Sequence, residues 1–544
     1  MLAEPPTLPT TGHRQQLAGL LVLFMLVAAG ISWWATRHGT GYGADADKYL
    51  FAARSLAQQG ELLSLNEHFG TEPFTHWPPL YPLALAATAQ LTAGDVPAAA
   101  RWLNILLYPL NTALMFGLAW RFSRSVRVTA AVATLFLLLP VVMDAHGHAA
   151  SESLYITFWL ITVGLLAAWP EPGPWLGRLA ALAAGMALLT RYGSASLVAA
   201  GAIFVLVVTR GGWWRRLLEA VIFFAVAVAP LAWWLHVHPA PAPVFNPITD
   251  LSGTSLERKL GFYPLSATQW QEAANSLLHW IQPLDRWKTL QVAYAVLIAV
   301  GAAAVAYGLA KSPAARPKMN AAAWRSPAVL LWLNLILNSL MLLLAGMFFD
   351  PVQTYTDRVH LASFMSLLLL GAHAWRSWVE PFLAAASRWV RAGFAGLAGL
   401  TLASYMGNAA VWLHSVDARL GYWRNSEAIT ILRREYADRP IFTDQVSTAY
   451  LYTGNVAVAL CPKSFNRYRN APNPNFDASF RAMIAEMKKF HAVFFYIPSV
   501  SGYEDIAKLS ANYPDLKILH QTPEATIFGL ATDIASGEAT PPAR

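Results

Sequence analysis

The sequence is 544 residues long and has little cysteine and little charge. Its single cysteine, Cys461, excludes an internal disulfide framework and a cysteine-based zinc module. Charged residues make up 13% of the chain against 56% apolar, whereas soluble domains average about a quarter charged. Hydrophobicity this high excludes a disordered chain. No internal repeat is present, and no Gly-rich nucleotide fingerprint follows a strand. The formal charge of +8 would suit nucleic acid, so the placement of the basic residues decides the matter.

What is present is a series of long apolar runs. A helix crossing about 30 Å of hydrocarbon needs about 20 apolar residues. Eleven stretches meet or approach this: 17–35, 99–121, 126–143, 150–169, 175–190, 194–209, 216–237, 289–310, 325–349, 359–379 and 391–414. The segment 79–93 is apolar but interrupted by Pro79 and Pro82. It is expected to lie at the membrane surface or to dip into it. Arg14 is the sole basic residue ahead of the first run, which is as long as a true span, so an uncleaved first helix is expected.

With a cytoplasmic N-terminus, the short cytoplasmic loops collect Arg121, Arg124, Arg127, Arg178, Arg210, Arg215, Arg216, Lys311, Arg316, Lys318, Arg325, Arg376, Arg388 and Arg391. The opposite turns 144–149 and 350–358 carry only Arg358. That asymmetry is the positive-inside pattern. The net charge is thus a topology signal, and nucleic acid drops out as a partner. The expected architecture is an α-helical polytopic membrane protein of about 11 transmembrane helices with a soluble C-terminal α/β domain. A cytoplasmic tail at 1–16 precedes a membrane body at 17–418 with outer loops 36–98 and 238–288, and an extracytoplasmic domain fills 419–544. In that domain, helices at 425–437, 478–490 and 503–512 alternate with strands at 440–444, 492–496, 516–519 and 525–528.

The first outer loop concentrates the chemistry. Gly43-Ala-Asp45-Ala-Asp47-Lys48-Tyr49 opens a short amphipathic helix that Gly60 ends. At about 100° per residue, Asp45, Tyr49 and Leu56 share one face and Asp47 points elsewhere. The bland reading makes Asp45 an N-cap and Asp47 a partner of the helix dipole. Thr71-Glu72-Pro73-Phe74-Thr75-His76-Trp77-Pro78-Pro79-Leu80-Tyr81-Pro82 follows within forty residues.

An Asp-x-x-x-Tyr-x-x-Ala-x-x-Leu helix after the first span, then His-Trp-Pro-Pro-Leu-Tyr-Pro, resembles the GT-C membrane glycosyltransferases, with the glycosyltransferase family 39-like protein O-mannosyltransferases and the aminoarabinose lipid A transferases as the nearest groups. Ser151-Glu152-Ser153-Leu154 opening a span, Leu188-Leu-Thr-Arg191-Tyr192 closing another and Asp357-Arg358 preceding a third fit the same pattern. The resemblance covers roughly 15–415. It implies transfer of a sugar from a polyprenyl-phosphate donor to a hydroxyl-bearing acceptor at the outer face of a bacterial inner membrane. It makes Asp45 the catalytic base, with Asp47 as a second candidate. The aminoarabinose transferases carry a Lys before their Pro-Pro pair. This chain has His76 and an inserted Trp77 instead, which argues against copying lipid A specificity onto it. His76 either meets phosphate or acceptor, or is an interfacial histidine.

By the same resemblance Tyr49, His76, Tyr81, Glu152, Arg191, Tyr192 and Arg358 are expected to meet substrate. Charged residues at span ends are functional candidates by default. Arg191, then Arg358, would offset charge on a phosphate leaving group, against the plain alternative of snorkelling to the interface. Glu152 is equally a structural partner for one of these arginines. Asp144-Ala-His146-Gly-His148, with Glu152 nearby, leaves a divalent metal open as a cofactor, although an exposed interfacial turn explains it as well. The loop 238–288, with Phe262, Tyr263, Trp270, Trp280, Trp287, Arg258 and Lys259, reads as a lid over the sugar site. Lys463 to Arg469 is a basic-aromatic loop that reads as a solvated segment, with anionic membrane lipids as the other reading. The rival function is a lipid-linked sugar flippase, which needs polar groups near the midplane on broken helices. Here the polar groups gather at outer span ends. A non-catalytic sensor leaves the first-loop motifs unexplained.

Overall fold

The computed structural model describes residues 11–41, 45–65, 71–75, 77–168, 174–238, 265–281, 325–349, 356–443, 445–455, 458–462, 465–466, 471–472, 474–497 and 506–531. The expected spans within these residues are mainly helical, though only some are long enough to cross a membrane; the span at 289–310 lies outside them. Thr11–Ala35, Val96–Ser123, Trp213–Val237, Pro327–Leu344 and Arg388–Arg424 each contain a stretch long and apolar enough to cross a membrane. Glu152–Ala168, Pro174–Thr190 and Ala195–Val208 are shorter apolar helices. The expected span 126–143 is bent by 56° between Val126–Leu138 and Pro140–Gly147. Pro140 sits at the break, where the residue ahead of a proline is pushed out of the helical region; Leu139 is extended at ψ 127.

Lipid offers no hydrophobic drive between helices, so close packing and interhelical hydrogen bonds join them. At Gly185 an added Cβ would stand 2.7 Å from the backbone oxygen of Ala227, so the helices cross here without a side chain between them. Near one end of the bundle, Asn104 and Asn111 tie Val96–Ser123 to Glu152–Ala168. Ser153 Oγ donates to Asn104 Oδ1 at 2.9 Å, and Thr157 Oγ1 to Asn111 Oδ1 at 2.7 Å.

The first loop stands on that end. Its helix Ala46–Gln59 stops at Gly60, whose φ of 78° is the left-handed conformation that glycine adopts without penalty. The Pro-interrupted segment forms Leu80–Ala89, a ten-residue helix too short to span. It packs on the loop helix as expected of an interfacial element, through a core that includes Tyr49, Leu50, Phe74, Tyr81 and Leu85.

The tail carries a five-stranded sheet in the order Val458–Leu460, Ile441–Thr443, Val493–Tyr496, Thr526–Leu530, Leu516–Gln521. The first three strands are parallel and the last two antiparallel to their neighbours. Each expected strand and helix of the tail is present. The helix Val446–Thr453 and the strand Val458–Leu460 were not foreseen, because the short apolar run there carries no clear period. Nor does the chain break at the expected boundary of 418/419. Arg388–Arg424 is one helix that runs from the membrane body into the tail, where Trp423 joins the core. No proline interrupts it.

Candidate active site

The loop helix presents Asp45 at its first turn. Asp45 occupies the N-cap position, and its carbonyl accepts from Tyr49 N, but its side chain makes no capping hydrogen bond. Its carboxylate turns instead to a cavity of about 380 Å³, lined also by Tyr49, Trp77, Tyr155, Arg191, Tyr192 and Arg358. The shared face of Asp45 and Tyr49 is therefore the face that meets the cavity. Deeper in, Thr190, Asn338, Met341 and Leu342 line it.

Four charged groups from distant parts of the chain converge on one rim. Arg191 Nη1 and Arg358 Nε both reach Glu152 Oε1, the latter at 2.5 Å. Arg358 Nη2 also stands 3.5 Å from Asp45 Oδ2. Glu152 is 2% exposed and the other three are partly open. The arginines are thus held by a carboxylate from behind while their free edges face the cavity. The negative charge of Glu152, followed by that of Asp45, drives the Arg358 guanidinium well above its ordinary value. Burial, then the charge of Asp45, pushes the Tyr49 phenol up. Tyr49 is therefore a neutral hydroxyl, 3.4 Å from Ser151 Oγ, and offers a hydrogen bond rather than a base.

Several expected residues have other positions. Asp47 does not line the cavity. Its carboxylate is 3% exposed and accepts a 2.8 Å hydrogen bond from Ser447 Oγ of the C-terminal domain, because two residues along a helix rotate a side chain by about 200°. Tyr81 is fully buried, stacked edge-on against Tyr49 with ring centroids 5.2 Å apart, so it backs a wall residue and does not itself line the cavity. Glu152 lies behind the arginines rather than on the cavity wall. Tyr192 lines the cavity and is exposed. His76 lies outside the described residues.

The metal reading of the 144–148 turn does not fit this geometry. His146 is 1% exposed and stacks on Tyr108, with Nδ1 2.7 Å from the Val142 carbonyl and Nε2 3.0 Å from Asn111 Nδ2. Both ring nitrogens are committed to the protein. Asp144 accepts a 2.6 Å hydrogen bond from Trp412 Nε1. The segment buries His146 between helices while the Asp144 side chain stays half exposed. Among the described residues no group of three His, Cys, Asp or Glu side chains is placed to hold a metal ion.

Of the proposed lid, residues 239–264 and 282–288 lie outside the described residues. The helix Ala267–Ile281 is described, and Trp270 with Gln269 walls a second, mainly apolar cavity of about 200 Å³ against Leu335, Leu343 and Leu367. Leu342 lines both cavities. The basic-aromatic loop lies largely outside the described residues as well.

The sequence reading missed Asn338. An asparagine within an otherwise apolar span was the available signal. Asn338 Nδ2 donates to Ser363 Oγ at 2.9 Å and Oδ1 accepts from Ser196 Oγ at 3.3 Å, joining three helices beneath the cavity.

No protein-family model matches the sequence, and no curated protein matches it. Solved structures do share its fold. The crystal structure of ArnT from Cupriavidus metallidurans bound to undecaprenyl phosphate superposes with a TM-score of 0.58 at 14% identity, over 96% of this chain and 99% of that one. The arabinofuranosyltransferase AftD from Mycobacteria superposes with a TM-score of 0.53 at 14% identity, over 94% of this chain and 40% of that one. Identities this low speak for the fold alone. In fold, membrane body and C-terminal domain together, the chain is similar to ArnT and to part of AftD, in line with the fold that its first-loop resemblance implied.

Proposed function

We propose that the protein is an inverting glycosyltransferase that moves a monosaccharide from a polyprenyl-phosphate carrier to a hydroxyl acceptor. The observation that carries this reading is the cavity where the open carboxylate of Asp45 faces the free edges of Arg191 and Arg358. The donor's phosphodiester lies against the two guanidiniums. Asp45 takes the proton of the acceptor hydroxyl as its oxygen bonds to the anomeric carbon. The bond from that carbon to the phosphate oxygen breaks in the same displacement, which inverts the anomeric centre. The carrier phosphate leaves with one more negative charge, and preorganised guanidiniums favour that developing charge over the ground state. The neighbouring apolar cavity suits the first isoprene units of the carrier, since Leu342 lines both it and the charged one.

The basic loops expected at the opposite helix ends support a site on the outer face of a bacterial inner membrane, with the C-terminal domain extracytoplasmic. A flippase is disfavoured by the same geometry, because the converging charges stand at one end of the bundle. In the purified protein, Asp45→Asn is expected to bind undecaprenyl phosphate as the parent does and to lose transfer. Wild-type turnover in that variant would sink the assignment. Glycolipid and glycan mass spectrometry of a deletion strain names the sugar and its acceptor through the missing mass.

A further inference from the structure

Asp45 is followed two residues later by a second acidic side chain that is buried and unused by the proposed displacement. Burying a carboxylate is unfavourable unless it is paired and hydrogen-bonded. Asp47 receives one hydroxyl, from Ser447 at 2.8 Å, and has the Lys48 ammonium at 3.9 Å. It also stands in the first turn of Ala46–Gln59, while Ser447 stands in the first turn of Val446–Thr453. Both residues thus sit in the first turns of their helices, where a negative charge is favoured. The same contact surface is extended by Phe51, edge-on to Tyr450 with centroids 6.1 Å apart, and by the Arg54 guanidinium 5.6 Å from that ring. Tyr450 belongs to the core that packs the loop helix.

On the other side of Asp45 the chain is held by backbone. Gly41 N donates to Gly147 O and Ala149 N donates to Gly41 O, both at 2.8 Å. Asp45 itself makes no capping bond and reaches Arg358 only at 3.5 Å. Beyond the packing of its helix on Leu80–Ala89, Asp45 is flanked by two attachments, one to the membrane body through Gly41 and one to the tail through Asp47.

We infer that Asp47 is a positioning residue that makes the placement of Asp45 depend on docking of the C-terminal domain through Ser447. The domain is then a clamp on the catalytic loop, whatever part it takes in acceptor choice. The inference rests on the assignment of Asp45 to the site, but its test does not require turnover. Cys461, the one native cysteine, is buried in the tail core and stays silent to a polar maleimide while that domain is folded. A thiol placed by Asp45→Cys in the full-length protein then reports the exposure of that position.

Adding Asp47→Ala or Ser447→Ala is expected to speed labelling at position 45 several-fold, with Cys461 still unlabelled. The combined substitution should do no more than either alone. Asp47→Asn, whose amide oxygen still accepts from Ser447, should label at close to the parent rate. Unchanged labelling in both alanine variants overturns the inference. A rise with Asp47→Ala but not with Ser447→Ala overturns it too, because Asp47 would then act within its own helix. Failure of the functional reading appears elsewhere, as full turnover in Asp45→Asn, so the two outcomes are separable.

Discussion

Glu152 and Arg358 meet through a single oxygen, Oε1 to Nε at 2.5 Å, and Arg191 grips that same oxygen. The other oxygen, Oε2, is buried without a hydrogen-bond partner. One carboxylate therefore restrains two guanidiniums and neutralises part of their charge before any phosphate arrives.

Glu152→Gln separates these two roles. Removing one partner of a buried ion pair costs about 3–5 kcal/mol, and the partial exposure of both guanidiniums reduces this to roughly 2 kcal/mol. The thermal midpoint in detergent should fall accordingly. Undecaprenyl phosphate should bind more tightly, because the rim becomes more positive, while transfer falls as the arginines lose their fixed geometry. A fluorescence titration alongside a transfer assay measures both. Weaker binding would show that the carboxylate matters for orientation more than for charge.

Asp47 provides a pH signature. Burial raises its carboxyl above the ordinary 3.8, against the opposing pulls of Lys48 and the Ser447 hydroxyl. A raised value means that the folded state holds the proton more tightly than the unfolded one. The associated stability is fully present below 3.8 and is lost as pH rises through the higher folded value. Above that range burial of this acid is thus a net penalty relative to a neutral amide, which Asp47→Asn removes. That variant should melt higher than the parent at pH 7, with the gap closing as the pH falls into the acid range. A constant gap across pH would show that ionisation of Asp47 is not its source.

Gly41 tests the other attachment of the catalytic loop. A Cβ added there would stand 2.5 Å from His148 Cδ2, a ring whose Nδ1 is held 2.9 Å from the Asp144 carbonyl. Gly41→Ala must displace either the ring or the strand-like bridge beside Asp45. Overpacking of this kind costs about 1–3 kcal/mol, and transfer should drop by about tenfold, equivalent to roughly 1.4 kcal/mol. His148→Ala in the same chain opens the space and should recover most of the loss. If the double variant is no better than Gly41→Ala, the steric account is wrong.

The residues that were readable in advance follow short-range rules. Apolar length and basic connections marked the spans, and the four-residue interval from Asp45 to Tyr49 placed both on one helical face. The prolines at 79 and 82 kept Leu80–Ala89 from being taken for a span, which preserved the alternation of the basic loops. The short strands of the tail followed from apolar runs between helical patterns. The metal alternative at His146 stayed open for a related reason. Its motif looks like a donor set in one dimension, yet its partners Val142 and Asn111 lie on two different helices.

By itself, then, the sequence determined a helical membrane body, a soluble α/β tail, an acid-bearing first loop and the scarcity of charge that made each ionisable residue at a span end a candidate. Only the tertiary structure decided which of those charges act together. Glu152, Arg191 and Arg358 come from three separate connections, and nothing local says that they share one oxygen. Asp45 and Asp47 are chemically identical and nearly adjacent. One opens to the cavity and the other is covered by a domain 400 residues away in sequence. The physical reason is that helical rotation separates their directions, while burial and hydrogen bonding depend on whatever surface folds back against each direction.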